Sequence, residues 1–346
     1  MNLLKFFTQR ASGGQSLVLA TVFETIGSTY SKAGGQMIID GDGNFCGMLS
    51  GGCLDGDLVE RARHVIESGV AETASYDLSA DDELWGLGVG CDGTMRVLLQ
   101  PLSPENDYQP FAAIADVLGG DEPATLAIVI SAESPSIKAG ASVLLQDGCE
   151  LGFGISAAVL RPIANSVDKK KPAIKREVDT PDGACAVLYA CIEPPPALLI
   201  LGAGLDSEPV VRIASELGWR CTVIDHRPAY VDSRCYADST RVLCCPVDEL
   251  AQQVRLEHFD LAIVMSHHLA SDRAYLRQLA ASSVAYVGLL GPAGRRERLM
   301  NELADLADAL KGRLHGPAGI DLGGRGPGPI ALAIVAEMQQ FLNQRG

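Results

Sequence analysis

Two cysteines in this chain stand in glycine turns, where a thiol can do chemistry that a packed thiol cannot. Cys53 closes Ser50-Gly51-Gly52-Cys53 in GMLSGGCLDGD, residues 47–57, where a strand gives way to a helix. Consecutive glycines let neighbouring N–H groups converge on one point, a nest for an anionic oxygen. A thiol at or near the first turn of the following helix meets the positive end of its dipole, which favours thiolate. Asp55 and Asp57 oppose that through their charge, although both suit a helix start. On this stretch alone a tight turn around a buried thiol is the slightly better reading, because free cysteine is commonly buried.

A second stretch shifts the balance. GLGVGCDGTMRVLLQ, residues 86–100, brings Cys91 into another glycine turn before another strand. Gly27-Ser28-Thr29-Tyr30-Ser31 adds a polar loop directly after the first strand, and Lys32 and Arg96 could supply positive charge. Hydroxyls, glycine loops and two thiols suit a ligand rich in phosphate, sulfur or a soft metal, since thiolate selects soft metals. The chain has 10 cysteines and no C-x-x-C pair, which argues against a zinc ribbon or a thioredoxin motif. Cys185, Cys191, Cys221, Cys244 and Cys245 lie in or beside apolar, strand-like runs and read as small core hydrophobes.

A separate constellation opens the second half. LLILGAGLDSEPVV places Gly202-Ala203-Gly204 after a strand and before a helix, where backbone N–H groups can approach a phosphate. Ser207 stands where the dinucleotide fingerprint has its third glycine. Asp225 ends the next strand at about the 20-residue spacing of a ribose-binding acid. It favours the free 2′-hydroxyl of NAD, while His226 and Arg227 could meet a phosphate instead. Equally, the glycines make a tight turn and Asp225–Arg227 fix a loop. Ser266-His267-His268 follows the apolar DLAIVM, so a histidine reaches the same crevice. Without a carboxylate or cysteine at fixed spacing, a crevice hydrogen bond is the better reading than a metal site. Nothing marks the acid or base that hydride transfer would need.

The elements that must position these residues fall into two halves, divided by EPPPA, residues 193–197. Three prolines cannot join a helix or a central strand. The expected domains are residues 1–192 and 193–346. In the first, SLVLATVFET, GQMIID, FCGMLS, AETASYDL, TMRVLLQPL, ATLAIVIS and ASVLLQ read as strands, and DGDGN as a hairpin turn. LDGDLVERARHVIESG and FAAIADVLG read as helices, giving a mixed α+β domain. The second half alternates strand and helix from ALLILGAG to RRERLMNELADLADAL. That alternation implies a Rossmann-like, doubly wound parallel sheet, so the fold class is α/β.

Charge excludes some partners. A formal net charge of -15 opposes nucleic acid, and KKKPAIK, residues 169–175, reads as a solvated loop or edge strand. The longest apolar runs fall short of the about 20 residues of a membrane helix, and the start lacks a secretory pattern. A cytoplasmic protein is expected.

The ordered set of segments resembles the XdhC family. In the first half the resemblance rests on GSTYSKAGGQMIID, GMLSGGCLDGDLV and GVGCDGTMRVLLQPL. In the second it rests on LLILGAG, VIDHRPAYV, SHHLASDRAYL, YVGLLGPAGRRERL and GPAGIDLGGRGPGPIALAIVAEM. The resemblance implies an XdhC/CoxI-type N-terminal domain and a Rossmann-like C-terminal domain. It implies a chaperone that binds molybdenum cofactor, supports its sulfuration and inserts it into a xanthine dehydrogenase-like molybdoenzyme. A cysteine desulfurase and a homodimer partner are implied too. Carried over by position, Ser50, Gly51, Gly52, Cys53 and Cys91 are the cofactor-side candidates, with Gly202, Gly204, Asp225 and His267 for the Rossmann crevice. Several positions depart from the family pattern: Leu205 replaces a histidine, Asp92 intervenes before Gly93, and Pro327-Gly328-Pro329 replaces an acidic motif. The competing readings are an NAD(P)-dependent oxidoreductase using the Rossmann half, and an interaction scaffold in which neither glycine-turn thiol matters.

Overall fold

Asp40 and Gly43 make the tight hairpin turn that DGDGN predicts. The Asp40 carboxylate accepts from the backbone N–H groups of Asp42 (3.0 Å) and Asn44 (2.8 Å), and Gly43 takes a φ of 89°. The computed structural model describes residues 2–78, 93–167, 173–237, 239–303 and 306–345. The chain divides into two units, Met1–Pro194 and Pro195–Gly346.

In the first unit, α1 (Leu3–Ser12) leads into β1 (Leu17–Gly27), β2 (Gln36–Asp40) and β3 (Phe45–Gly47). Then come α2 (Asp55–Ser68), β4 (Glu72–Asp77) and β5 (Gly93–Leu102). The five strands form an antiparallel sheet in the order β3-β2-β1-β5-β4. A second stretch follows with α3 (Phe111–Gly119), β6 (Ala124–Ala132), β7 (Ser142–Gln146), β8 (Cys149–Phe153), α4 (Ala157–Asn165), β9 (Ala173–Thr180) and β10 (Gly183–Ile192). Its strands make a second antiparallel sheet, β8-β7-β6-β10-β9.

Strand alternation decides which core each residue enters. Val18, Ala20 and Val22 of β1 pack with Leu58, Ala62 and Val65 of α2. Leu17, Leu19 and Phe23 join Leu126, Ile128 and Leu188 of the second sheet. Both faces of β1 are covered, so its sequence is apolar almost without a break. Val159 and Ile163 of α4 cover the far face of the second sheet.

In the second unit, β11 (Ala197–Leu201), α5 (Ser207–Glu216), β12 (Arg220–Asp225), α6 (Pro228–Asp232), β13 (Arg241–Cys244) and α7 (Leu250–Gln253) come first. Next are β14 (Leu261–Val264), α8 (Leu269–Ala280), β15 (Tyr286–Leu289) and α9 (Ala293–Glu302). The chain closes with α10 (Ala307–Leu310), β16 (Leu314–His315) and α11 (Pro327–Arg345). All six strands pair in parallel in the order β13-β12-β11-β14-β15-β16. Leu199, Leu201, Ala262 and Val264 face α8 on one side, through Tyr275, Leu276 and Leu279. Leu198, Ile200 and Ile263 face α5 and α11 on the other, through Val210, Val211, Ile334 and Met338. This is the Rossmann-like sheet that the strand–helix alternation predicts.

Two of the cysteines expected in the core are not there. Cys185, Cys221 and Cys245 are buried, whereas Cys191 and Cys244 are exposed. Cys191 is the outward residue between buried Ala190 and Ile192 near the end of β10, and Cys244 lies on the edge strand β13. Most of the lysine cluster falls outside the described residues, while Lys175 lies in β9, an edge strand. Among the described residues no helix is long and apolar enough to cross a membrane.

Candidate functional site

Four strand ends gather at one end of the first sheet. Gly27 at the end of β1 pairs with Gly93 at the start of β5, and Asp77 at the end of β4 pairs with Thr94. Gly47 at the end of β3 pairs with Met37 near the start of β2. The loop after β1, the turn after β3 and the first residues of β5 therefore share a rim. The Ser31 hydroxyl donates to the Met48 carbonyl across it (2.8 Å). A side chain added at Gly93 would lie 2.6 Å from the carbonyls of Ile26 and Ser28. Ile26, Tyr30 and Met48 expose large apolar surfaces along this rim. Cys91 lies outside the described residues, two positions before β5 begins.

Ser50 organises the thiol turn. Its buried hydroxyl accepts from the N–H groups of Gly52 (3.2 Å) and Leu54 (3.1 Å) and donates to Asp55 (3.1 Å). One amide that the glycine pattern offers to an anion, that of Gly52, is thus satisfied from within, because a serine hydroxyl competes for nearby backbone groups. Gly51 and Gly52 remain exposed, and among the described residues a side chain at either would meet nothing within 4 Å. Among the described residues, nothing stands against the turn. Cys53 is half-buried and packs partly against the core between α2 and the sheet. α2 begins at Asp55, so the thiol precedes the helix rather than lying inside its first turn.

The start of α2 is pinned to β4. Asp57 accepts from the Tyr76 hydroxyl (2.6 Å) and from Arg61 Nε (2.7 Å). Burial pushes the Asp57 carboxyl up, but these bonds outweigh it and hold it below its usual range. Burial, with Asp57 beside it, raises the Tyr76 phenol well above its ordinary value. Arg96 pairs with Glu24, as does Lys175, so its charge is already matched. The hydrogen bond from Lys175, aided by Arg96, holds Glu24 below the usual carboxylate range against its modest burial. Lys32 is exposed.

The second glycine turn is built differently. Gly202 has a φ of 124°, and a side chain there would lie 2.6 Å from the Met265 carbonyl, so β11 and β14 exit in close contact. Asp225 is fully buried and accepts from the Ala203 N–H (2.8 Å) and from Arg227 through its N–H (2.9 Å), Nε (2.9 Å) and Nη2 (2.7 Å). Burial raises this carboxyl, and the bonds from Arg227 and Ala203 more than offset it, leaving it below its ordinary 3.8. Arg227 stacks on Tyr230, 3.6 Å from the ring centre. The acid read as a ribose ligand and the arginine read as a phosphate ligand are bonded to each other. They stand two residues apart across a bend at His226, and fold back together.

Ser207, in place of the third glycine, is buried, donates to the Gly204 carbonyl (2.6 Å) and meets the Tyr236 hydroxyl (2.7 Å). His267 Nε2 lies 2.7 Å from Asp206 Oδ2. His268 instead caps α8 through Nδ1, which accepts from the Ser271 N–H (3.4 Å). Ser266 donates to buried Asp272, which pairs with Arg295. Among the described residues, no group of three or more His, Cys, Asp or Glu side chains could hold a metal ion.

Ser50, Gly51, Gly52 and Cys53 thus share one turn, and Gly202, Gly204, Asp225 and His267 share another. Asp206 went unread in the sequence. The signal that could have found it is a carboxylate two residues after the last glycine of a phosphate turn. Asp57 and Tyr76 also went unread, being 19 positions apart with no motif to join them.

Comparison with known proteins adds a second line of observation. Residues 11–77 match the profile described as the XdhC and CoxI family, and residues 198–338 match the XdhC Rossmann domain. The chain is 28% identical to a protein of Bacillus subtilis named as a probable xanthine dehydrogenase component, over 94% of this chain and 93% of that protein. It is 21% identical to the molybdenum cofactor insertion chaperone PaoD of Escherichia coli, over 97% of this chain and 86% of that one. A crystal structure described as a xanthine dehydrogenase from Bacillus halodurans matches with a TM-score of 0.81 and 28% identity, covering 100% of this chain and 97% of that chain.

Proposed function

The chain belongs to the XdhC family, and from that premise we propose that it carries molybdenum cofactor as cargo and inserts it into a xanthine dehydrogenase-family molybdoenzyme. The observation that carries the reading is the rim of the first sheet. There a polar loop, an exposed Gly51-Gly52 pair and a half-buried thiol come together beside the strand that follows Cys91. The cargo brings a phosphate, sulfur and a soft metal. A thiol suits the metal or its sulfur, and glycines without side chains let such a ligand approach the backbone. The likeness to PaoD, named as a molybdenum cofactor insertion chaperone, supports the same role.

In this reading the protein acts in the cytoplasm as a homodimer, without turnover of its own. It presents the cargo to a cysteine desulfurase for sulfuration and then to the molybdoenzyme. Cys53 is the first-choice ligand, Cys91 the second, and Ser50 shapes the turn that holds Cys53. The oxidoreductase alternative draws no support from the crevice, where Asp225 and Arg227 are bonded to each other.

The test is purification from a host that makes molybdenum cofactor, followed by oxidation and identification of released pterin by fluorescence. Stoichiometric pterin, transferable to the metal-free molybdoenzyme of the same host, is the expected result. Folded protein without pterin would overturn the reading.

A further inference from the structure

The C-terminal unit has a phosphate-type turn that its own side chains close. In a dinucleotide fold, the second glycine of the turn leaves room for pyrophosphate to reach the backbone and the helix N-terminus. Here a β-carbon on Gly204 would lie 2.5 Å from Asp206 Oδ1 and 3.6 Å from the His267 ring. The room that the glycine leaves is taken by a carboxylate.

Asp206 is the N-cap residue of α5, yet its side chain makes no capping hydrogen bond. It turns to His267 Nε2 instead, at 2.7 Å. His267 comes from the loop after β14 with a φ of 60°, a left-handed backbone that a histidine adopts at some cost. A carboxylate that leaves the helix amides and a histidine held in left-handed backbone share one explanation, a clasp between the two loops. The rest of the turn is also filled. Asp225 takes the Ala203 N–H, and the Arg234 side chain donates to the Ala203 carbonyl (3.1 Å) while pairing with Glu208 (3.6 Å).

We infer that the Asp206–His267 clasp is a specificity element that shuts this glycine turn against phosphate, so that the Rossmann unit rejects NAD(P) and other dinucleotides. The carboxylate acts by occupying the space and by repelling the anion, and the nearby Arg227 and Arg234 are committed to other partners. The inference does not depend on the cargo assigned to the other unit.

The test titrates the full chain with inorganic pyrophosphate and with NADH by calorimetry, for the wild type, Asp206→Gly and Asp206→Asn. The wild type is expected to bind neither. Asp206→Gly should bind pyrophosphate at least about tenfold more tightly than the wild-type limit, and Asp206→Asn, which removes the charge but keeps the volume, should fall between. NADH should stay weak in all three, since Asp225 remains bonded to Arg227. NADH binding to the wild type would overturn the inference. So would an Asp206→Gly protein that melts like the wild type yet gains no pyrophosphate. If that variant does not fold, Asp206→Asn must show the gain, and its failure to do so counts equally against the clasp.

Discussion

The turn at Ser50–Cys53 and the turn at Gly202–Gly204 follow strands, lead into helices and look alike as strings of residues. In the first, the Ser50 hydroxyl takes the amides of Gly52 and Leu54, but among the described residues nothing stands against Gly51 or Gly52. In the second, Asp225 takes the Ala203 amide, Asp206 stands before Gly204, and Gly202 is pressed against the Met265 carbonyl. A glycine in the first turn leaves room for something outside the protein; a glycine in the second leaves room for the protein itself. Glycine-rich turns are therefore to be judged by what already fills the space their missing side chains leave.

The largest effect should come from the same mutation made in both turns. Gly202→Ala forces a side chain to 2.6 Å from a neighbouring strand's carbonyl at a φ of 124°. It should cost more than about 3 kcal/mol in urea denaturation. Gly51→Ala meets nothing within 4 Å among the described residues and should stay within about 0.5 kcal/mol of wild type. Equal costs would erase the distinction between the turns.

Next in size is Arg227→Ala, which leaves the Asp225 carboxylate buried with its cation gone and should cost about 3 kcal/mol. The pH dependence follows from the same pair. Asp225 sits below its ordinary 3.8 in the folded chain, so its contribution is fully present above that value. It is lost as pH falls through the lower folded value. Urea midpoints followed by the fluorescence of Trp219, buried in that unit, should drop below about pH 4 in the wild type, and less steeply in Arg227→Ala. Parallel curves for the two proteins would show that the pair is not what acid breaks.

A smaller change is expected at the open turn. Ser50→Ala removes the hydroxyl that accepts from Gly52 and Leu54 and should cost about 1 kcal/mol. It should also quicken Cys53 labelling by a thiol reagent, because the turn loses its brace. In the wild type Cys53 should label well ahead of Cys221, which is buried and whose thiol burial pushes up to about 11. Cys191 and Cys244 are exposed and serve as fast controls. Equal protection of Cys53 and Cys221 would make the first turn as closed as the second.

Periodicity carried the elements well, because each strand or helix is decided by residues a few positions apart. SLVLATVFET, LDGDLVERARHVIESG and the strand–helix alternation after EPPPA all appear where the pattern puts them, and α2 stops at Gly69, the glycine that ends the segment. RRERLMNELADLADAL carries no glycine or proline to mark a break, yet it forms α9 and α10. At the candidate sites, the sequence located the turns but not their occupancy. Whether Asp225 faces a ribose or Arg227, and whether Asp206 caps α5 or reaches His267, depends on contacts that no spacing rule encodes. The rim itself was only partly legible. The loop after β1 and the Ser50–Cys53 turn were visible, but their lying at one end of a sheet beside the start of β5 needed the strand order β3-β2-β1-β5-β4.

The most direct measurement compares pterin retained by Cys53→Ala and by His267→Ala, each purified in parallel with the wild type from a host that makes molybdenum cofactor. If the open turn holds the cargo and the closed turn does not, Cys53→Ala should lose at least about tenfold of the bound pterin, equivalent to about 1.4 kcal/mol of affinity. His267→Ala should keep the wild-type amount. Both proteins should melt close to the wild type, since Cys53 is only half-buried and His267 is exposed. Full retention in Cys53→Ala together with loss in His267→Ala would contradict the account and move the cargo to the Rossmann crevice.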